Sequence, residues 1–266
     1  MEQEQRTQTN SQSATLSPFS LDGKLALITG GGSGIGFDIA RCMVQAGGTV
    51  VITGRREQPL QEAVATLGDR AHYMVNDVTD RPLLDDLVER IEAIYGPIDT
   101  LVNNAGINMK KPALEVTDED FDRIVHTNLN SVFSLTRACA KRMMARQSGS
   151  IIMISSMAAY YGIDRVAAYA ASKSGVEGMV KVLASEFSGN GVRVNAIAPG
   201  FIETAMSKTA MGGDPDRFAR AMRRTPMGKF GQPEDIGWAA VFLASEAAKY
   251  ITGASLPVDG GNSIGF

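Results

Sequence analysis

The chain has 266 residues, enough for an α/β fold that buries its core without disulfide or metal staples. A formal charge of −3 gives no general attraction to nucleic acid or to an anionic membrane. Two cysteines, Cys42 and Cys139, are too few for a disulfide scaffold and suit a reducing compartment, and no stretch approaches the ~18 apolar residues of a membrane span.

Residues 1–17 are rich in Gln, Thr and Ser, so they read as a disordered polar tail without the apolar centre of a secretory signal. From Lys24 onward, short apolar runs alternate with helical patterns. The run 25–28 leads through a glycine cluster into a helical pattern over 35–46. The runs 50–52 and 72–75 precede helical stretches over 58–67 and 82–95, with Pro82 suited to a first turn. Runs at 98–102, 150–154 and 192–198 are separated by long helical stretches over 118–146 and 166–187. A helix over 233–245 and a run over 255–258 close the chain. Continuous apolar strands between helices predict one doubly wound α/β domain over 18–266, with a parallel sheet covered on both faces. In 166–187, Val176, Met179, Val180, Leu183 and Phe187 face the sheet while Val182 and Ala184 fall elsewhere. That pattern fits either a subunit contact or deep placement in a large sheet.

The cluster Thr29-Gly-Gly-Gly-Ser-Gly-Ile-Gly36 lies between the first strand and the first helix. Glycines there allow a tight turn and the approach of a pyrophosphate to the helix N-terminus. The six-residue G-x-G-x-x-G pattern fits in no register, whereas Gly30-x-x-x-Gly34-Ile35-Gly36 does. An NAD site wants Asp or Glu about twenty residues on, at the end of the second strand. Gly54 stands there, followed by Arg55 and Arg56. A guanidinium suits the 2′-phosphate of NADP, so NADP(H) is favoured over NAD(H), although paired arginines at a strand end also fit simple solvation.

Tyr169 and Lys173 share a helix face at i, i+4, with Ser156 thirteen residues before Tyr169. An ammonium beside a phenol stabilises the phenolate and can make Tyr a proton donor, yet the spacing alone also fits a solvated face. Tyr161 and Arg165 repeat the spacing near Ser155, but Arg does not exchange protons usefully. His72 and His126 have no Cys or second His at ligand spacing, so no metal site is expected.

With these features stand Asn103-Asn-Ala-Gly106, Asn128 in His126-Thr-Asn-Leu129, Pro199-Gly200 with Thr204, and Val258-Asp-Gly-Gly261. Together, from about Leu21 to Gly261, the chain resembles the classical short-chain dehydrogenase/reductase family. The resemblance implies a Rossmann-type seven-stranded parallel sheet and a reaction that interconverts a ketone and a secondary alcohol. Tyr169 would be the general acid in reduction and the base in oxidation. Lys173 would lower its pKa and bond the nicotinamide ribose. Ser156 would hold and polarise the carbonyl oxygen, and Asn128 would anchor a water linking Lys173 to solvent. Gly30, Ser33, Gly34, Ile35 and Gly36 would cradle the pyrophosphate, with Arg55 and Arg56 at the 2′-phosphate. Asp77 and Val78 would contact adenine, and Asn104, Ala105 and Gly106 would border the adenosine side. Pro199, Gly200, Ile202 and Thr204 would hold the nicotinamide amide, and Tyr160 and Tyr161 would line the pocket.

The segment 201–232 reads as a substrate lid carrying Lys208, Arg217, Arg220, Arg223 and Arg224, with Met109-Lys-Lys-Pro112 near the mouth. Its cations would attract a carboxylate or phosphate, or form a solvated basic face. Residues 18–24 and 104–112 resemble the gluconate 5-dehydrogenase branch, which implies a keto sugar acid or related sugar as the small-molecule substrate. A 3-oxoacyl-carrier-protein reductase shares the core motifs. It wants basic residues near the end of the catalytic helix, where none lies between Lys181 and Arg193. A non-catalytic NADP(H) sensor on the same fold would have no use for the Ser–Tyr–Lys set. The resemblance also implies a cytoplasmic homotetramer with no nucleic-acid or membrane partner.

Overall fold

The computed structural model describes residues 17–204, 207 and 215–265. All but the last residue of the expected polar tail lies outside the described residues, as do Lys208 and the side chain of Arg217.

Seven strands form one parallel sheet: β1 (Leu25–Thr29), β2 (Thr49–Gly54), β3 (Ala71–Val75), β4 (Thr100–Asn103), β5 (Gly149–Ile154), β6 (Val192–Pro199) and β7 (Ser255–Val258). Their order is β3-β2-β1-β4-β5-β6-β7; the parallel, doubly covered sheet is what the alternation of apolar runs and helices predicts. Side chains alternate between the two faces of each strand. Leu25, Leu27, Val51, Leu101 and Ile151 enter one core layer with α3 (Leu84–Tyr95), α5 (Ser131–Arg146) and α6 (Ala167–Phe187). Ala26, Ile28, Val50, Ile52, Val102 and Ile152 enter the other with α1 (Gly34–Gln45), α2 (Glu57–Leu67) and a helix over Pro233–Ala244. Each fully buried Leu or Ile contributes about 1.5–3 kcal/mol, so both faces must be covered. Because β1 is flanked by β2 and β4, successive connections leave it in opposite directions. That opens a crevice at the carboxyl ends of the strands.

Three local expectations change. The pattern over 118–146 is interrupted: α4 (Asp118–Val125) passes into a π-helical turn at His126–Asn130 before α5 begins. No Pro or Gly announces this turn. Pro82 lies in a 3-10 turn, Arg81–Leu83, ahead of α3 rather than in its first turn. Ala184 packs into the core beside Leu183 instead of facing away, whereas Val182 is exposed. Phe121 on α4 and Phe133 on α5 are also exposed. The last two helices in chain order are α7 (Pro215–Arg224) and α8 (Pro233–Ala244). Among the described residues, no helix is long and apolar enough to cross a membrane.

Candidate active site

The turn after β1 is shaped by two constraints. Gly30 has φ 67° and Gly34 φ 56°, in the left-handed region that a Cβ disfavours. Gly36 faces a different constraint, close approach: a Cβ there would overlap Gly30 O and Asn104 Nδ2. Asn104 Nδ2 donates to Thr29 O at 2.9 Å and Gly30 O at 3.3 Å, and Thr29 Oγ1 accepts from the N–H groups of Asn104 and Ala105 at 3.0 Å each. The Asn104 amide is thereby committed to holding the turn. Ser33 precedes α1 with its hydroxyl making no capping bond, and Ile35 packs on the second core layer. Thr204 Cγ2 lies 3.8 Å from the position of a Gly34 Cβ, which brings the segment after β6 across the turn.

Arg55 and Arg56 are exposed beyond β2. Asp77, beyond β3, accepts from Thr79 N–H at 2.9 Å and Thr79 Oγ1 at 2.8 Å. Burial pushes its carboxyl up, but the Thr79 bonds outweigh this, helped by Arg55 and His126, and hold it below the usual range. Arg55 therefore has a carboxylate within electrostatic reach, although none occupies the end of β2. Val78 follows, partly buried.

The structure brings Ser156, Tyr169, Lys173 and Asn128 together. Ser156 follows β5 and caps the 3-10 turn Met157–Ala159, accepting from Ala158 N–H at 3.2 Å. Burial holds the Tyr169 phenol above its ordinary value, and a hydrogen bond with Ser156 opposes that rise. Lys173 is 5% exposed, donates from Nζ to Ile154 O at 2.6 Å, and lies 5.6 Å from the Tyr169 ring centroid. Burial lowers its ammonium to about 8. The expected lowering of Tyr169 by Lys173 does not prevail in this arrangement. The ammonium is bonded to a main-chain carbonyl and weakened as a cation by its own desolvation.

Asn128 sits in the π turn, fully buried. Its Oδ1 accepts from Ile107 N–H at 2.8 Å, and its Nδ2 donates to Ile107 O at 2.8 Å and Ser172 Oγ at 3.2 Å. Ser172 Oγ in turn donates to Tyr169 O at 2.7 Å. Both Asn128 side-chain donors are therefore occupied, which leaves one Oδ1 lone pair or its main chain to hold a water. A Cβ on Gly106 would lie 3.2 Å from Asn128 Oδ1 and 3.8 Å from Lys173 Nζ, so that glycine lets the strand β4 exit close over the lysine.

Pro199 ends β6, and Gly200 N–H bonds Val258 O at 3.0 Å; a Cβ on Gly200 would lie 2.6 Å from Asp259 Cα. Buried Ile202 bridges Gly231, and Thr204 Oγ1 accepts from Ser207 N–H at 3.1 Å. Tyr160 donates to Ser255 Oγ at 2.9 Å, tying it to β7. Tyr161 donates to Asn262 Oδ1 and lies under Arg224, whose guanidinium carbon is 3.8 Å from the ring centroid. Lys111 is paired with Asp120 at 3.0 Å. His126 Nε2 lies 3.2 Å from Thr79 O, and His72 stacks on Tyr95. Three contributors escaped the sequence reading: Ser172, Asn262 and the main chain of Ile154. None carries a local signal, since each acts through a contact with a distant segment.

Among the described residues, three buried side-chain polar atoms lack partners: Thr53 Oγ1, Asn76 Oδ1 and Ser155 Oγ. They lie in or just beyond the carboxyl ends of β2, β3 and β5. Buried polar atoms are ordinarily satisfied, so three of them at these strand ends, beside a glycine turn that leads into the N-terminus of α1, fit a polar dinucleotide.

A family model described as enoyl-(acyl carrier protein) reductase matches residues 30–263. The chain is 41% identical to a 2-dehydro-3-deoxy-D-gluconate 5-dehydrogenase of Pseudoalteromonas atlantica, over 92% of this chain and 98% of that protein. It is 40% identical to a 3-oxoacyl-[acyl-carrier-protein] reductase of Thermotoga maritima, over 91% and 98%. Among solved structures, a gluconate 5-dehydrogenase from Burkholderia cenocepacia in complex with NADP and tartrate superposes with a TM-score of 0.88 at 36% identity, covering 94% and 99%.

Proposed function

The chain belongs to the short-chain dehydrogenase/reductase family, and from that premise we propose that it is an NADP(H)-dependent oxidoreductase interconverting a keto sugar acid, or a related sugar, and its secondary alcohol. The observation that carries this reading is the Ser156 hydroxyl bonded to Tyr169 while Lys173 is buried against the same ring. The cofactor supplies or accepts the hydride. Ser156 orients the carbonyl oxygen and stabilises the charge growing on it. Tyr169 gives that oxygen a proton in reduction and removes it in oxidation. Lys173 bonds the ribose and keeps the phenol ready, and Asn128 holds the proton path between α6 and Ile107. The glycine turn of Gly30, Ser33, Gly34, Ile35 and Gly36 receives the pyrophosphate, while Asp77, Val78, Ala105 and Gly106 border the adenosine side. Pro199, Gly200, Ile202 and Thr204 take the nicotinamide amide.

Arg55 and Arg56 are proposed to bind the 2′-phosphate. Arg55→Asp should lower the NADP/NAD ratio of kcat/KM by roughly 100-fold, as two charge-assisted bonds are replaced by repulsion. An unchanged ratio would remove Arg55 from the site.

Lys173 also gives a pH signature. Its ammonium lies near 8, below the free value of 10.5, so it is charged at pH 7 and loses its proton as pH rises through about 8. Reduction needs the charged form. We therefore expect kcat/KM for NADPH, which reports the protein before the cofactor binds, to fall with one-proton slope above about pH 8. A profile flat to pH 9.5 would count against Lys173 in this role.

NADPH oxidation against keto sugar acids, acetoacetyl thioesters and neutral ketones tests the substrate reading. Preference for the thioesters would favour a 3-oxoacyl-carrier-protein reductase, which the 40% identical relative supports. Tight NADPH binding without any turnover would mean a sensor. We further propose a cytoplasmic homotetramer built from the single domain over 18–266. Exposed Phe121, Phe133 and Val182 on α4, α5 and α6 support an assembled face, and the two free cysteines are both buried. A monomer in light scattering would sink the assembly.

A further inference from the structure

Among the cations of the lid segment whose side chains are described, Arg224 is held differently from Arg220 and Arg223. Arg220 and Arg223 are exposed, whereas Arg224 is partly buried against Tyr161. Its Nε donates to Asn262 O at 3.0 Å. Asn262, itself fully buried, accepts the Tyr161 hydroxyl at Oδ1 and donates from Nδ2 to Thr225 Oγ1 at 3.0 Å. The end of α7, the segment after β5 and the C-terminal segment therefore converge on one guanidinium. Among the described residues no carboxylate is paired with it. Asp259, which acts electrostatically on Tyr161, has both oxygens engaged by its own turn, through Gly261 N–H at 2.9 Å and Ser263 N–H at 2.6 Å.

The location is on the substrate side. Tyr161 N–H bonds Met157 O at 3.2 Å, within the turn that Ser156 caps. Gly200 abuts Asp259, three residues before Asn262. The guanidinium is thus linked through Tyr161 to the turn that Ser156 caps, and through Asn262 to the segment that abuts Gly200. A planar cation fixed by stacking on Tyr161 and by its Nε bond is suited to bidentate capture of a carboxylate, and little side-chain freedom is lost on binding.

We propose that Arg224, seated on Tyr161, is the specificity-determining residue that takes the carboxylate of the substrate. This rests on the keto sugar acid reading above. Steady-state kinetics of wild type, Arg224→Gln and Arg224→Lys on 5-keto-D-gluconate and on the neutral ketose L-sorbose provide the test, with NADPH affinity as a folding control. The expected result is a rise in KM for the keto acid of roughly 30-fold in R224Q with kcat little changed, partial recovery in R224K, and less than threefold change for the ketose. Equal losses on both substrates, or no loss on either, would overturn it. If wild type reduces no keto acid, the substrate reading fails on its own, and calorimetric binding of D-gluconate to the NADP⁺ complex still decides Arg224. Binding that is lost in R224Q supports the assignment. Binding that is absent from wild type, or unchanged in R224Q, refutes it.

Discussion

Tyr169→Phe should bind NADPH as tightly as wild type and turn over about 10³- to 10⁴-fold more slowly, the scale of a lost general acid. The substitution keeps the ring against which Lys173 packs, so the lysine retains its bond to Ile154 O at 2.6 Å. It removes only the hydroxyl, and with it the hydrogen bond to Ser156. The stability cost should stay near ~1 kcal/mol, that of one net hydrogen bond on a partly exposed side chain. Fluorescence titration with NADPH and single-turnover kinetics separate the two effects. Residual turnover above a tenth of wild type would mean that another group delivers the proton, and the assignment of Tyr169 would fail.

Gly36→Ala should damage the fold and the cofactor site together. The added methyl meets the main-chain oxygen of Gly30, which cannot swing aside, and the Asn104 amide. Either α1 moves off the turn or Asn104 gives up its bonds to Thr29 O and Gly30 O. Overpacking typically costs about 1–3 kcal/mol, and a backbone clash belongs at the upper end. For a chain of this size that lowers Tm by roughly 6–12 °C. NADPH affinity should fall by at least about tenfold, since the displaced turn is where the pyrophosphate is proposed to rest. Gly189→Ala, in the turn Ser188–Asn190 with nothing within 4 Å of the new Cβ, is the control and should not lose stability. An unchanged Tm and NADPH affinity in Gly36→Ala would show that α1 does not descend on the turn as described.

The sheet was legible in the sequence because its strands are buried on both faces, and continuous apolar runs such as 25–28 and 50–52 have few other uses. The Ser156, Tyr169 and Lys173 set was legible only through the family resemblance, because two residues four apart on a helix also fit a solvated face. The π turn at His126–Asn130 was not. Its residues suit an α-helix, and what holds the turn open is tertiary: the three bonds of Asn128 to Ile107 and Ser172. Asn104 was assigned to the adenosine border, yet its amide closes on the glycine turn across a gap of over seventy residues. Ala184 looked misplaced because a helical wheel gives direction but not depth, and a small side chain can sit where two helices come close. Arg224 was indistinguishable from its neighbours, since its setting depends on Asn262 and Tyr161, which no local pattern connects to it.

The groups proposed to handle the proton are fastened largely to main-chain atoms, Lys173 to Ile154 O and Asn128 to both peptide groups of Ile107, and Ser172 beside them bonds Tyr169 O. Side-chain replacement at Ile154 or Ile107 leaves those peptide groups where they are. The residues expected to line the pocket are joined instead by side chain to side chain, as in Tyr161 with Asn262 and Tyr160 with Ser255. Sequence drift therefore acts unevenly on this molecule. It can redraw what the rim accepts, one side chain at a time, while the reaction performed inside is carried forward unaltered.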